Sequence, residues 1–270
     1  MAIMKNTLLI ASALTAVIAS TPASAITVDA NLADWGVTSA PWTPAAGIKY
    51  TIEDQTSGAF YLDPGWGGQA YDAEALYTTI RDNKLYVALV TGHDPRTLNN
   101  PAGNSYGAGD FAFDFGKNGS YEAGINFNHS TAYNSSTNTY TYENTFAQGG
   151  FYQNATWNLG LWSRSGEQAT TTRPADPAHP TSLRTGTYTG QAELAYTTTA
   201  VNGHYFYEMS LDLGLLRTAG WDGTSTFGIH WTENCANDAI WVESTAVPEP
   251  GSLALIGISL LGLFGSRRRA

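Results

Sequence analysis

Five oxygen-bearing side chains stand where strands or turns are expected to end, and together they could coordinate a cation. Calcium takes carboxylate, side-chain amide and backbone carbonyl oxygens as ligands. Asp and Asn are equally common at such positions because they satisfy nearby backbone groups in turns. The sequence therefore leaves two interpretations open, a calcium site and a set of turn residues, for Asp72, Glu74, Asp110, Asn237 and Asp238.

The aromatic residues suggest a second kind of chemistry, since the chain has 8 tryptophans and 15 tyrosines. Such rings stack on the faces of sugars while neighbouring polar side chains bind the hydroxyl groups. Trp231 stands at strand spacing from Phe227 and Ile229, so it is predicted to lie in the core. Four tryptophans lie in segments without strand alternation and are candidates for a sugar-binding platform: Trp42, Trp66, Trp157 and Trp162. Packing in the core is the alternative for each of them.

Catalytic signatures are weak. Neither E-x-D-x-x-E nor H-E-x-x-H occurs, and a pair such as Asp72 and Glu74 is common on solvated strands. The five histidines have no metal-ligand spacing, which argues against a zinc or copper site. The single cysteine, Cys235, cannot form an intramolecular disulfide and is typical of a small buried residue. We predict that the protein is not an enzyme.

The elements that must position these residues are strands. Apolar and polar residues alternate along 72–91 around a tight turn at 81–84, which predicts an antiparallel hairpin. A second pair is predicted from Phe111, Phe113 and Phe115, which share one face, and from the returning segment 121–127. Further strands are predicted at 190–197, 205–212, 227–232 and 240–243, with a short helical turn after Leu213. The connections 129–145 and 166–186 are predicted to be long and polar, and the second, rich in Thr, Pro and Ala, is predicted to be irregular.

This pattern predicts an all-β protein with a single antiparallel β-sandwich, jelly-roll-like, of about 220 residues. The sandwich segment, 26–246, keeps 9 of the 13 basic and 22 of the 23 acidic residues, so its net charge is near −13. Such a charge argues against nucleic acid or anionic lipid as a partner and is compatible with divalent cations.

The N-terminal segment 1–25 has the three parts of a secretory signal peptide. Lys5 precedes an apolar run at 8–19, and the small residues Ala23 and Ala25 form a cleavage site, with the cut expected after Ala25. We therefore expect export through the Sec machinery and cleavage by signal peptidase.

The C-terminal segment 247–270 has a second arrangement of signals. Pro248, Glu249 and Pro250 precede an apolar run at 252–265, and a basic tail follows at 267–269, made of Arg267, Arg268 and Arg269. About 14 apolar residues span roughly 21 Å as a helix, which makes a short transmembrane helix. The arginines would stay on the cytoplasmic side, so the sandwich lies on the far side.

This C-terminal segment resembles the PEP-CTERM sorting signal of Gram-negative bacteria. The resemblance implies processing by an exosortase, a membrane protease-transpeptidase, in cells that make extracellular polysaccharide. The precursor would be anchored transiently in the inner membrane and the product would reach the cell surface or extracellular matrix.

The central segment resembles family 9 carbohydrate-binding modules and DOMON-type domains, which fold as β-sandwiches. The resemblance rests on the entry from Asp29 to Asp34 and Trp35, on the hairpin, and on the strand at 205–212. It implies binding of polysaccharide without catalysis, whereas the expectation of calcium as a cofactor rests on the acidic and amide side chains alone. A structural matrix protein that contacts other proteins is the alternative function, and a polysaccharide-cleaving enzyme is the third.

Overall fold

The structure is a computed structural model that describes residues 25–53, 66–127, 129–143 and 145–245. Among these described residues, strands account for 43% and helices for 8%, and the strands form stacked antiparallel sheets. The predicted all-β class and the antiparallel β-sandwich are therefore confirmed.

The first sheet has five strands in the order β1-β2-β3-β11-β10. Its centre is the predicted hairpin, in which Leu76 pairs with Leu89. The strands are β1 (Lys49–Ile52), β2 (Ala73–Arg81), β3 (Lys84–Thr91), β10 (Glu193–Tyr196) and β11 (Tyr205–Asp212).

The second sheet has six strands in the order β13-β12-β4-β5-β8-β9. They are β4 (Phe111–Asp114), β5 (Ala123–Ile125), β8 (Gly150–Leu159), β9 (Pro180–Gln191), β12 (Phe227–Thr232) and β13 (Ala239–Ser244). A separate hairpin joins β6 (Ser130–Asn134) to β7 (Thr139–Tyr142), and the helix α1 (Leu213–Thr218) follows β11.

The main core lies between the two sheets and is rich in aromatic rings. Phe127 stacks on Tyr207 across the sandwich, with ring centroids 4.2 Å apart and planes 11° from parallel. Trp231 is fully buried beside Tyr207, as its strand spacing predicts. Successive strand residues point to opposite sides of a sheet. This alternation places Tyr207 of β11 and Trp231 of β12 on the inner faces of the two sheets.

The outer face of the five-stranded sheet is covered by the N-terminal segment of the domain. Trp35, in a short 3-10 helix, packs with Tyr77 in a second buried cluster. The indole Nε1 of Trp35 donates to Oε1 of the buried Glu208 at 2.6 Å. The backbone N–H groups of Asp29 and Asn31 donate to the other oxygen, so this one carboxylate fixes the entry of the chain.

The prediction of an irregular connection at 166–186 holds as far as residue 179 and is wrong from residue 180 onward. Segment 129–145 contains the β6–β7 hairpin, and segment 166–186 runs into the long strand β9. Strand β8 also went unpredicted, and Trp157 lies in it rather than in a loop. Thr, Asn and Gln are frequent in β8 and β9, so the apolar alternation that marks a half-buried strand is weak there.

The predicted signal peptide at 1–25 and the sorting segment at 247–270 lie outside the described residues, except for Ala25, which is exposed. Within the described ranges, none of the helices is both long and apolar enough to cross a membrane.

Candidate ligand-binding site

A polar cleft opens beside the ends of β8 and β9 and the base of the β6–β7 hairpin. Its volume is about 230 Å³. Side-chain amides, hydroxyl groups and charged groups dominate its lining, with Phe146 as the aromatic member. The lining residues are Asn99, Asp110, Asn126, His129, Glu143, Thr145, Phe146, Asn158, Ser182, Leu183 and Arg184.

Asp110 forms the floor of the polar cleft and holds three chain segments together. Its two carboxylate oxygens accept the backbone N–H groups of Phe127, at 2.7 Å, and Leu183, at 2.8 Å. Burial raises the pKa of Asp110 to about 7, against the opposing effect of these two hydrogen bonds. The geometry makes Asp110 a brace between β4, the segment after β5, and β9.

The residue before Asp110 must be glycine because the backbone approaches two other segments there. A Cβ atom on Gly109 would lie 1.9 Å from the carbonyl oxygen of Thr232 and 2.6 Å from that of Thr181. The carbonyl of Gly109 also accepts a hydrogen bond from the indole of Trp231 at 3.1 Å. This close packing fixes the floor of the polar cleft against the core.

One wall of the polar cleft is formed by His129 and Glu143 at the base of the β6–β7 hairpin. His129 Nε2 lies 3.6 Å from a carboxylate oxygen of Glu143, and the backbone N–H of Glu143 donates to the carbonyl of His129 at 2.9 Å. Burial lowers the pKa of His129, although the nearby Glu143 opposes this shift. Nδ1 of His129 is buried and has no hydrogen-bond partner in the described part of the chain.

The opposite wall comes from β8 and β9 and presents side chains that bind hydroxyl groups well. The Nδ2 group of Asn158 donates to Oγ of Ser182 at 3.1 Å. Arg184 is exposed at the rim, and none of the ion pairs within the described ranges includes it. The wall therefore offers an amide, a hydroxyl and a guanidinium side by side.

A G-x-S-x-G match at 103–107 lies beside the polar cleft, where Gly107 packs against His129 and Asn99. Ser105 follows a 3-10 turn rather than joining a strand to a helix, and its hydroxyl donates to the carbonyl of Leu98. Ser105 and His129 both belong to the described part of the chain, and no hydrogen bond joins them. The strand-turn-helix context of a nucleophile elbow is missing at this position.

The four predicted platform tryptophans fall into three environments, and none of them lines the polar cleft. Trp42 is 3% exposed and packs against His204, so its ring offers no face to a surface ligand. Trp157 is half-buried and its indole donates to the carbonyl of Tyr121 at 3.0 Å. Trp66 and Trp162 meet edge to face, with centroids 4.7 Å apart, and both are half-buried.

The predicted calcium ligands are only partly brought together. Asp238 accepts the backbone N–H of Ala73 at 2.7 Å and thereby ties β13 to β2, close to the buried Asp72. Glu74 instead pairs with His204 at 2.8 Å, and Asn237 accepts from the indole of Trp162 at 3.2 Å.

Asp110 belongs to the polar cleft. Among the described residues, no three Asp, Glu, His or Cys side chains converge on a position for a metal ion. Calcium binding stays a prediction.

Sequence reasoning missed Glu233, which is buried beside Asp72 and Asp238. Burial and the neighbouring carboxylates of Asp238 and Asp72 raise its pKa well above the ordinary value. The adjacent Cys235 is buried, and burial with the nearby Glu233 raises the pKa of its thiol. The cleft residues were missed because they are scattered between positions 99 and 184, and no short motif connects them.

Comparisons with known proteins bear on the end of the chain. No curated protein matches the chain. A family model for the PEP-CTERM protein-sorting motif matches residues 246–269, which include Pro248, Glu249, Pro250 and the three arginines. The motif implies export, a membrane-anchored precursor and processing by an exosortase. The protein is therefore an exported surface protein that carries a PEP-CTERM sorting motif at its C-terminus.

Proposed function

We propose that the β-sandwich binds extracellular polysaccharide in the polar cleft once the exosortase has delivered it to the cell surface or matrix. The observation that carries the proposal is the lining of the cleft. It combines three side-chain amides, two hydroxyl groups and one exposed guanidinium with two carboxyl groups, one imidazole and the phenyl ring of Phe146. Sugars are bound by such planar polar groups beside an aromatic face.

The proposal assigns binding without catalysis. Glycoside hydrolysis requires one carboxyl group that can give up a proton and a second that can act as base or nucleophile. Asp110 and Glu143 both line the polar cleft, but both oxygens of Asp110 already accept backbone hydrogen bonds. This use of Asp110 supports a structural role for its carboxylate.

Binding to a panel of soluble polysaccharides tests the proposal, with the variants Asn158→Ala and Arg184→Ala. Each is expected to weaken binding about tenfold, because each removes a hydrogen-bond donor worth about 1.4 kcal/mol. Arg164→Ala is the matched control, since Arg164 is 76% exposed and lies outside the cleft lining. Equal affinity of all three variants and the unaltered protein would refute the assignment of the cleft.

Two other outcomes of these experiments would favour the alternative functions. A folded protein that binds none of the glycans and self-associates in their absence would favour the structural matrix component. Release of new reducing ends from a polysaccharide would favour the cleaving enzyme. Melting curves with calcium and with a chelator, in the same series, test the predicted calcium requirement, because a ligand of the folded state raises the melting temperature.

A further inference from the structure

A tryptophan ring stands exposed on the outer face of the six-stranded sheet. Trp241, on β13, is 57% exposed, which is the highest value among the exposed large apolar side chains of the described residues. Its neighbours along the strand, Ile240 and Val242, belong to the core, so the alternation directs the Trp241 ring away from the core. The ring is therefore available to stack on a ligand.

The sheet surface beside Trp241 has a depression because one position lacks a side chain. Gly228, on β12, points to the same outer side, since both of its neighbours along the strand are core residues. It pairs directly with Glu243 on β13 and with Asp114 on β4. The nearest atom to a Cβ on Gly228 would be 3.7 Å away, so the space above this glycine is open.

A pocket of about 150 Å³ occupies this depression, and we call it the outer pocket. Trp241 and Tyr121 supply aromatic walls, and an ion pair between Lys117 and Glu243 lies at the rim. The side chains of this pair are 42% and 59% exposed, so the ammonium and the carboxylate remain accessible to a ligand. The outer pocket shares no lining residue with the polar cleft, so the two are separate sites.

Two histidines complete the wall of the outer pocket without adding charge. His230 lines the pocket opposite Trp241 in the strand pairing, and its Nε2 lies 3.3 Å from Nδ1 of His179. The ring centroids of His179 and Trp241 are 6.4 Å apart. Burial lowers the pKa of both imidazoles, that of His230 well below its ordinary value, so both rings are uncharged at neutral pH.

The chemistry of these groups fits a sugar ring. A pyranose has a C–H face that stacks on an indole, and its hydroxyl groups need both donors and acceptors. Trp241 offers the ring face, Lys117 offers a donor and Glu243 offers an acceptor. The carboxylates of Asp114 and Glu243 outnumber the single ammonium of the outer pocket, which disfavours an anionic sugar.

We propose that the outer pocket is a second polysaccharide-binding site, in which an uncharged pyranose residue stacks on Trp241. The inference rests on the proposed function for its class of ligand, and it adds a site that the polar cleft does not include. Asp110 of the cleft and Asp114 of the outer pocket are separated by roughly 13 Å along the extended chain at β4. Binding at two points increases the avidity for a polymer over that for a single sugar.

Isothermal titration calorimetry tests the proposal on the full chain, kept in a detergent that has no sugar headgroup. The probes are cellohexaose, maltohexaose and mannohexaose. Trp241→Ala should weaken binding about tenfold, because the stacking face is lost. Tyr188→Ala is the matched control and should keep its affinity, since Tyr188 is 53% exposed on β9 and lines neither site. Unchanged affinity of Trp241→Ala would overturn the proposal.

Gly228→Val supplies a second test that leaves Trp241 in place. The added side chain would fill the floor of the outer pocket, so this variant should weaken binding as much as Trp241→Ala does. Its melting temperature shows whether the fold is kept. A folded Gly228→Val protein with full affinity would contradict the proposal. Tighter Trp241-dependent binding of hexagalacturonate than of the neutral probes would contradict the assignment of an uncharged ligand.

The variants also separate this inference from the proposed function. Weaker binding in Asn158→Ala and Arg184→Ala, with no change in Trp241→Ala, would keep the polar cleft and overturn the outer pocket. Weaker binding in Trp241→Ala and Gly228→Val alone would support the outer pocket and refute the assignment of the cleft. No binding of any probe by the unaltered chain would overturn both.

Discussion

Glu233 offers the sharpest test of the energetics of this fold. Its carboxyl group is fully buried, and neither oxygen has a hydrogen-bond partner of normal geometry among the described residues. The backbone N–H groups of Glu233 and Asp238 lie near enough to offset part of the burial. Burial and the charges of Asp238 and Asp72 still dominate, and they raise the pKa of Glu233 well above 4.5.

The sign of the pH effect follows from proton linkage. The folded protein holds a proton on Glu233 at pH values where the unfolded chain has released it. The stability contributed by this group is therefore complete below about pH 4.5 and falls as the pH rises toward the folded pKa. The slope in that window is about 1.4 kcal/mol per pH unit.

Glu233→Gln should remove this slope, because glutamine is nearly the same size and carries no titrating proton. The free energy of unfolding of the variant should rise relative to that of the unaltered protein by about 1.4 kcal/mol per pH unit between pH 4.5 and the folded pKa of Glu233. Urea unfolding followed by tryptophan fluorescence at pH 5, 6, 7 and 8 would measure the difference.

Glu193→Gln is the matched control, because the Glu193 side chain is 59% exposed and lies 3.8 Å from Lys84. It also accepts a hydrogen bond from the Ser210 hydroxyl at 3.1 Å, which the amide oxygen of glutamine can still accept. Exposed ion pairs of this kind contribute at most about 1 kcal/mol. A Glu233→Gln variant whose stability difference is the same at pH 5 and pH 8 would refute the reasoning. A variant less stable than the unaltered protein at pH 8 would refute it too.

Three further predictions concern other buried positions. Gly109→Ala should lower the free energy of unfolding by several kcal/mol, because its Cβ would lie 1.9 Å from a backbone oxygen. Gly228→Ala is the control and should be nearly neutral, because the nearest atom to its Cβ would be 3.7 Å away. Urea unfolding of the two variants measures the difference. Trp35→Phe should cost about 2 kcal/mol in the same assay, because it removes the hydrogen bond to the buried carboxylate of Glu208. Native Cys235 should resist alkylation by iodoacetamide, as measured by mass spectrometry, and react once the protein is unfolded, because its thiol is buried and its pKa is raised.

The hairpin of β2 and β3 illustrates what local sequence can predict. Both strands have long apolar runs, and the turn between Arg81 and Lys84 is polar, so strand bounds and pairing followed from the pattern. Strands β8 and β9 were harder because register shifts interrupt their pairing and their outward residues are polar. Local alternation carries little signal for a strand whose pairing partners decide its position.

The candidate sites likewise depend on packing that local sequence does not reveal. Trp42 was a reasonable surface candidate from its irregular surroundings, yet the N-terminal segment folds over the sheet and buries it. Glu233 has no flanking motif that marks it as buried, and its unusual environment arises only when β12 and β13 bring it beside Asp238 and Asp72.

By itself the sequence determined the β class, from the strand alternation, and the sorting motif, because both are local patterns along the chain. The tertiary structure alone decided which polar side chains meet in the cleft, since residues as distant as Asn99 and Arg184 approach only through strand pairing. It also decided that Trp241 on β13 remains exposed while Trp231 on β12 is buried. Burial depends on the packing of one sheet on another, and that packing is a property of the whole fold.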